Sequence, residues 1–93
     1  MIQVHFFGKL GEFAIQELGE SCIELGIADE NDSMSLLDVI NLLSQKSQKL
    51  RKELNSPTNL CAVNQKFIQR PSQDEMIINK GDEVAFMSPL SGG

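Results

Sequence analysis

The sequence predicts an α+β fold in which a mixed sheet of about four to five strands carries one long helix packed across one face. Three observations indicate this fold: short apolar segments stand at the start of the chain, one long segment with helical periodicity follows, and more short apolar segments come after it. A chain of 93 residues has room for a single hydrophobic core. We therefore predict one domain over residues 1–93.

The first strand is predicted over residues 2–6, where apolar and polar side chains alternate with a period of two. An apolar run at residues 22–27 predicts a second strand. Between the two strands, Gly8 and Gly11 are expected to flank a loop. Residues 12–18 are long enough for about two helical turns.

The long helix is predicted to begin after Ser35, because Asp38 follows at the spacing of a capping box. In that motif the serine accepts from a helix amide, and the carboxylate accepts from the amide of the serine. Apolar residues then recur at steps of three and four, as on one face of a helix: Leu36, Val39, Ile40, Leu43, Leu50 and Leu54. Pro57 disfavours helical geometry in the residue before it, so the helix is expected to end near Asn55.

Short apolar segments after the helix predict further strands at residues 60–63, 67–68, 76–78 and 84–87. Gly81 lies in a polar segment before the last of them and predicts a tight turn, because glycine accepts a positive φ. Two strands, one crossing helix and then more strands follow the plan of the ubiquitin-like β-grasp fold.

Composition excludes several classes of function. The net charge of −5 and the lack of aromatics other than phenylalanine argue against nucleic-acid binding, which needs a basic face and stacking platforms. No apolar stretch approaches the ~20 residues of a membrane span, and the opening residues do not resemble a signal peptide. We therefore expect a cytoplasmic protein.

The sequence also contains few residues that could bind a metal ion or act as a reactive thiol. Cys22, Cys61 and His5 are too few for a tetrahedral zinc site from this chain alone. Both cysteines lie in apolar runs and are expected to be buried and inert. His5 is expected to be a polar strand residue, because the chain offers it no evident nucleophile. The sequence thus predicts neither a metal site nor a permanently bound cofactor.

Charge is unevenly distributed along the chain. Residues 10–45 hold eight acidic residues and no Lys or Arg, whereas residues 46–70 hold six basic residues and one acidic residue. The basic patch at 46–52 lies in the second half of the predicted helix, where it opposes the negative end of the helix dipole. It is also a second candidate surface for selecting partners. Lys66 and Arg70 are interpreted as ordinary surface charges.

The most informative segment is the end of the sequence, Ser88-Pro89-Leu90-Ser91-Gly92-Gly93. Pro89 lacks the amide needed to extend a sheet, so residues 88–93 are predicted to form a flexible tail. A free carboxylate on Gly93 would be ionised and a poor electrophile, so it would need activation, most simply as a mixed anhydride with AMP. Because Gly92 and Gly93 have no Cβ, they can thread a narrow channel. They are predicted to be a carried substrate rather than a catalyst.

The second half of the chain resembles a known family. The Val63-Asn64-Gln65 turn within residues 60–68, and residues 81–93 with their GDEVAF strand and proline-containing tail, resemble the small subunits of molybdopterin synthases. Residues 2–8 are similar as well. The sequence departs from the family in three places. Two prolines are common where this chain has Ser88-Pro89, an arginine-glutamate pair is common where it has Gly11-Glu12, and an aromatic or large apolar residue is usual at Met87.

The resemblance implies a sulfur carrier of the ubiquitin-like group. An adenylating enzyme of the ubiquitin-activating type would convert the Gly93 carboxylate to an acyl-adenylate, with AMP held only transiently, and a sulfur donor would convert it to a thiocarboxylate. The tail would then enter the large catalytic subunit of molybdopterin synthase, where sulfur passes to a cyclic pyranopterin precursor. Such synthases are usually heterotetramers. The chain itself would be a non-catalytic, sulfur-donating subunit of this sulfurtransferase.

Apolar residues near the tail are predicted to dock on the partner: Phe7, Phe86, Met87, Pro89 and Leu90. Strand alternation turns one member of the adjacent pair Phe86 and Met87 inward. Two other functions stay open. One is a carrier that serves thiamine, another thio-metabolite, tRNA thiolation or protein conjugation, and the other is a non-covalent β-grasp interaction module.

Overall fold

The computed structural model describes residues 1–27 and 32–88. The elements are β1 Ile2–Phe7, α1 Lys9–Leu18, β2 Cys22–Leu25, β3 Ser33–Ser35, α2 Leu36–Lys46, α3 Gln48–Leu54, β4 Leu60–Val63, β5 Lys66–Ile68, β6 Ile77–Asn79 and β7 Glu83–Met87. Within these ranges no helix has the length and apolar character needed to cross a membrane.

Five strands form the main sheet, in the order β2-β1-β7-β4-β5. The first and last strands of the chain, β1 and β7, run parallel at its centre, and the other neighbours are antiparallel. A separate two-stranded sheet joins β3 to β6. The predicted α+β class and mixed sheet are confirmed.

The core lies between the inner face of the sheet and the helices. In β1 the inward residues Ile2, Val4 and Phe6 are at most 3% exposed, as the period-two pattern predicts. The helices contribute the buried apolar stripe that the sequence also predicts: Leu36, Val39, Ile40, Leu43, Leu50 and Leu54.

The predicted capping box is present at the start of α2. The Asp38 amide donates to Ser35 Oγ at 3.1 Å, and the Ser35 amide donates to Asp38 Oδ2 at 3.3 Å. Ser35 also ends β3, a short strand that the pattern of residues does not predict. One serine therefore serves both the end of a strand and the beginning of a helix.

The prediction of one uninterrupted helix is wrong at Ser47, where the backbone is extended and separates α2 from α3. The Ser47 hydroxyl accepts from the Leu50 amide at 3.1 Å and so caps α3. It also donates to Glu17 Oε1 of α1 at 2.6 Å. Leu43 and Leu50 are both fully buried, so the apolar stripe continues across the break.

The loop expected around Gly11 is instead the first turn of α1. A Cβ at Gly11 would lie 2.8 Å from the backbone oxygen of Phe6, closer than such atoms normally approach. Glycine is therefore needed here because the helix packs against β1, and not because the chain turns.

Candidate functional site

The tail begins where the two central strands end together. In the parallel register Phe6 lies opposite Phe86, and Phe7 lies opposite Met87. Ser88 follows β7 directly and is the last described residue of the chain. Pro89, Leu90, Gly92 and Gly93 of the predicted site lie outside the described residues.

Ser88 makes a specific contact at this point. Its Oγ accepts a hydrogen bond of 2.9 Å from the backbone amide of Lys9, the first residue of α1. Gly8, which precedes that helix, has a φ of 67°. The base of the tail is therefore joined to the beginning of α1 as well as to β7.

An apolar surface lies beside the base of the tail, on the sheet face opposite the core. The register places Phe7, Met87 and Leu60 in one row across β1, β7 and β4. The neighbouring row contains Ala85 and Ala62 and ends at Phe67 on β5. We call Phe7, Met87, Leu60 and Phe67 the outer patch.

The side chains of the outer patch are accessible in the described structure. Phe7 is 49% exposed, Leu60 45% and Phe67 68%, and Met87 is half-buried. Phe7 and Met87 therefore lie on an accessible surface, and their docking on a partner stays a prediction. Sequence reasoning missed Leu60 and Phe67, because strands of three or four residues are too short for alternation to show which side chains face outward.

The prediction that Phe86 docks on a partner is wrong, because Phe86 is part of the core. It is 2% exposed and stacks on Phe6, with ring centroids 5.8 Å apart. Successive residues of a strand point to opposite faces, so the outward position of Met87 requires Phe86 to point into the core.

A polar group borders the outer patch at His5. The His5 ring stacks on Phe7 with ring centroids 5.9 Å apart and an interplanar angle of 8°. His5 Nε2 lies 4.0 Å from Cys22 Sγ and 3.8 Å from Glu83 Oε1. Both neighbours approach the same ring nitrogen, whereas a nucleophile–base–carboxylate relay uses the two nitrogens for different partners. The cluster therefore lacks the geometry of a catalytic triad.

The two cysteines lie in different environments. Cys61 is buried as predicted, and burial raises the pKa of its thiol to about 12. The prediction that Cys22 is buried is wrong, because Cys22 points outward from the edge strand β2 and is exposed. In the part of the chain that the structure describes, no three His, Cys, Asp or Glu residues are arranged to hold a metal ion.

Arg70 is a structural residue rather than the surface charge that the sequence suggests. Its Nε donates to Asp74 Oδ1 at 2.7 Å and its Nη2 to Asp74 Oδ2 at 3.0 Å, and both side chains are largely buried. The same guanidinium donates to the Leu54 carbonyl and to Asn55 Oδ1. It therefore satisfies the carboxyl end of α3.

The sequence matches one known protein family. The ThiS family model matches residues 4–93, a range that includes the terminal glycine pair. A comparison with curated proteins gives no match.

Several solved structures have the same fold as this chain over nearly its whole length. Small archaeal modifier protein 1 (SAMP1) from Methanosarcina acetivorans is similar with a TM-score of 0.73 and 18% identity, over 99% of this chain and 95% of that chain. The putative molybdopterin converting factor subunit 1 from Pyrococcus furiosus gives 0.69 and 21% identity, over 96% of this chain and 97% of that chain. A chain in the complex of subunits 1 and 2 of molybdopterin-converting factor from Helicobacter pylori gives 0.57 and 21% identity, over 99% and 97%. These similarities confirm the predicted ubiquitin-like β-grasp fold.

Proposed function

The chain belongs to the ThiS family of sulfur carriers, and on that basis we propose that it is the sulfur-carrying subunit of a molybdopterin synthase. The extent of the family match carries the proposal, because it runs to Gly93 and includes the glycine pair. Two findings support molybdopterin as the end product. Residues 60–68 and 81–93 resemble the small subunits of these synthases, and the putative molybdopterin converting factor subunit 1 from Pyrococcus furiosus has the same fold.

The reacting group in this function is the Gly93 carboxylate. The carboxylate is ionised at neutral pH. Its negative charge repels an attacking nucleophile, so the carboxylate must first be activated. An adenylating enzyme joins a carboxylate oxygen to the α-phosphorus of ATP, and pyrophosphate leaves. A donor that delivers sulfur at the oxidation level of sulfide then attacks the acyl carbon, AMP leaves with the oxygen that joined it to the acyl group, and a thiocarboxylate remains. The sulfur anion is a strong nucleophile, and in the large subunit it attacks a carbon of the pyranopterin precursor, from which an oxygen substituent leaves. Water then cleaves the bond between the sulfur and the acyl carbon of Gly93, which regenerates the carboxylate and leaves the sulfur on the pterin.

The outer patch provides the docking surface in this proposal. It begins at Phe7 and Met87, the last residues of the two strands beside Ser88, so a partner that covers it lies next to the base of the tail. The body then stays outside the partner while the glycine pair enters its active site. Burial of exposed phenylalanines supplies the binding free energy, as apolar anchors do at other interfaces.

A genetic experiment tests the role of the terminal carboxylate. Cells that lack this protein and therefore lack molybdenum-enzyme activity are supplied with the native chain, with a chain lacking Gly93, or with a chain extended by one residue after Gly93. An extension by one residue before Met1 is the matched control. We expect the native chain and the control to restore activity and the two altered ends to fail. Restored activity with either altered end would refute the proposal.

The mass of the intact protein provides a second test that does not depend on complementation. Protein isolated from cells that are making the cofactor is expected to contain a fraction in which one oxygen is replaced by sulfur. The same measurement establishes whether Gly93 is the last residue of the chain in the cell. Complete absence of the sulfur-containing form would contradict a carrier role and favour a non-covalent interaction module.

A carrier with the same tail chemistry and another acceptor is the second candidate, and the similarity to small archaeal modifier protein 1 favours it. In a protein modifier the activated Gly93 would be joined to lysine side chains of other proteins. Mass spectrometry of purified conjugates would detect that linkage. Co-purification with a thiazole-forming enzyme or a tRNA-thiolating enzyme, instead of a pterin-binding subunit, would identify the other acceptors.

A further inference from the structure

The amino end of α1 is capped from the opposite end of the chain. The carbonyl of Gly8 accepts the first bonds of this helix, from the amides of Gly11 at 3.0 Å and Glu12 at 3.3 Å. Gly8 has no side chain with which to satisfy the free amides that begin a helix. Ser88 Oγ instead accepts from the amide of Lys9 at 2.9 Å, across 79 positions of sequence.

The backbone of Gly8 is shaped to admit this contact. Its φ of 67° is one that residues with a side chain rarely adopt. A Cβ at this position would lie 2.6 Å from Ser88 Oγ, well inside normal contact distance. Glycine at position 8 and serine at position 88 therefore form a complementary pair.

We propose that Ser88 is a positioning residue for the carrier tail, whose hydroxyl fixes the point and direction in which the chain leaves the sheet. The inference rests on the proposed function. With Ser88 held, the reach of Gly93 is bounded by the length of the five residues that follow, which is at most ~17 Å, whereas six residues would span ~20 Å. Pro89 adds to the restraint, because a proline disfavours the helical region for the residue before it.

Restraint at Ser88 should lower the conformational entropy that the tail loses when the protein binds its partner. When a partner covers the outer patch, Gly93 must reach the partner's active site. If the base of the tail were not anchored, the tail could leave the sheet in more directions, and fewer of them would lead to that site. The Lys9–Ser88 hydrogen bond removes part of that freedom before docking, so less entropy is lost when the tail enters the partner. Loss of the hydroxyl should slow the reaction of Gly93 and leave docking of the body unchanged.

The test compares Ser88→Ala, which removes the hydroxyl, with Ser88→Thr, which keeps one. Ser72→Ala is the matched control, because the Ser72 hydroxyl donates a local hydrogen bond to the Gln69 carbonyl at 3.3 Å, far in sequence from the tail. Two measurements are made on the full chain. The first is hydrogen exchange at the Lys9 amide, and the second is pyrophosphate release from ATP by the adenylating enzyme isolated from the same cell.

For Ser88→Ala we expect faster exchange at Lys9 and a kcat lowered about 3- to 10-fold, the effect of one hydrogen bond. The KM should stay within about twofold, because the docking surface is intact. Ser88→Thr and Ser72→Ala should behave as the native chain. An unchanged kcat in Ser88→Ala, or an equal loss in Ser88→Thr, would overturn the positioning role. Absence of pyrophosphate release with the native chain would instead refute the proposed function.

Discussion

Phe6 and Phe86 face each other across the parallel pair β1 and β7, with ring centroids 5.8 Å apart in the core. Their chain neighbours Phe7 and Met87 form the next pair of the same register and point to the opposite face. A displacement of one residue along a strand exchanges the two faces. This register therefore separates the residues that hold the fold from those that a partner can contact.

The two faces should respond differently to the same substitution. Phe86→Ala is expected to lower the free energy of unfolding by about 3–5 kcal/mol, because it removes a buried ring and leaves a cavity. Phe7→Ala should cost less than about 1 kcal/mol, because Phe7 is 49% exposed. Urea unfolding followed by circular dichroism measures both values. Equal losses would contradict the assignment of the faces.

Docking should depend on the outer patch and not on exposed apolar residues in general. Phe7→Ser and Phe67→Ser are each expected to weaken binding to the large subunit or to the adenylating enzyme by about tenfold or more. Ile15→Ser is the matched control, because Ile15 is 52% exposed and lies on α1. Isothermal titration calorimetry measures the affinities. A loss of the same size with Ile15→Ser would show that the patch is not the specific contact.

The ion pair of Arg70 and Asp74 should contribute to stability because both side chains are largely buried. Removing one charge, by Arg70→Met or Asp74→Asn, is expected to cost about 2–4 kcal/mol, since the remaining charge loses its partner. The double variant should cost less than the sum of the two. Lys66→Met, at an exposed position of β5, should change stability little. Additive losses in the double variant would show that the pair is not coupled.

The two thiols should differ in reactivity. A thiol-specific disulfide reagent at mildly alkaline pH is expected to modify Cys22 rapidly, because it is exposed. Cys61 should react only after denaturant is added, because it is buried and its pKa is raised to about 12. Peptide mass spectrometry of the modified chain distinguishes the two sites. Rapid modification of Cys61 in the folded chain would contradict its burial.

Burial of Cys61 also predicts a pH dependence of stability. The folded chain holds the thiol proton up to a pKa of about 12, whereas the ordinary value is 9.0. Between these values the unfolded chain binds fewer protons than the folded chain, so rising pH favours unfolding. The difference in unfolding free energy between the native chain and Cys61→Ala should be constant below about pH 9 and shrink towards pH 12. A constant difference over that range would refute this linkage.

Much of the fold could be predicted because the relevant signals are local. The alternation in β1, the capping box at Ser35 and the apolar stripe of the helices each involve residues a few positions apart. Hydrophobic periodicity reports which side of an element will be buried, whatever it packs against. The order of these elements was sufficient to indicate the β-grasp plan, and the chemistry of a terminal glycine pair was sufficient to indicate a carrier.

Other features depend on groups that are distant in sequence. The helix breaks at Ser47, whose hydroxyl donates to Glu17. Position 11 of α1 requires glycine, because the backbone of Phe6 leaves no space for a Cβ. Arg70 also differs from its predicted role, because its partner Asp74 is buried within a turn whose neighbouring residues are exposed. No pattern within these segments reports the position of the partner group.

The residues alone determined the types of most elements, the family resemblance and the proposed reacting group, since these follow from covalent chemistry and local periodicity. The tertiary structure decided that Phe86 belongs to the core, that Leu60 and Phe67 complete the outer patch, and that Ser88 is tied to Lys9. The physical reason is that register and long-range hydrogen bonds arise only when β1, β4, β5 and β7 are brought together into one sheet.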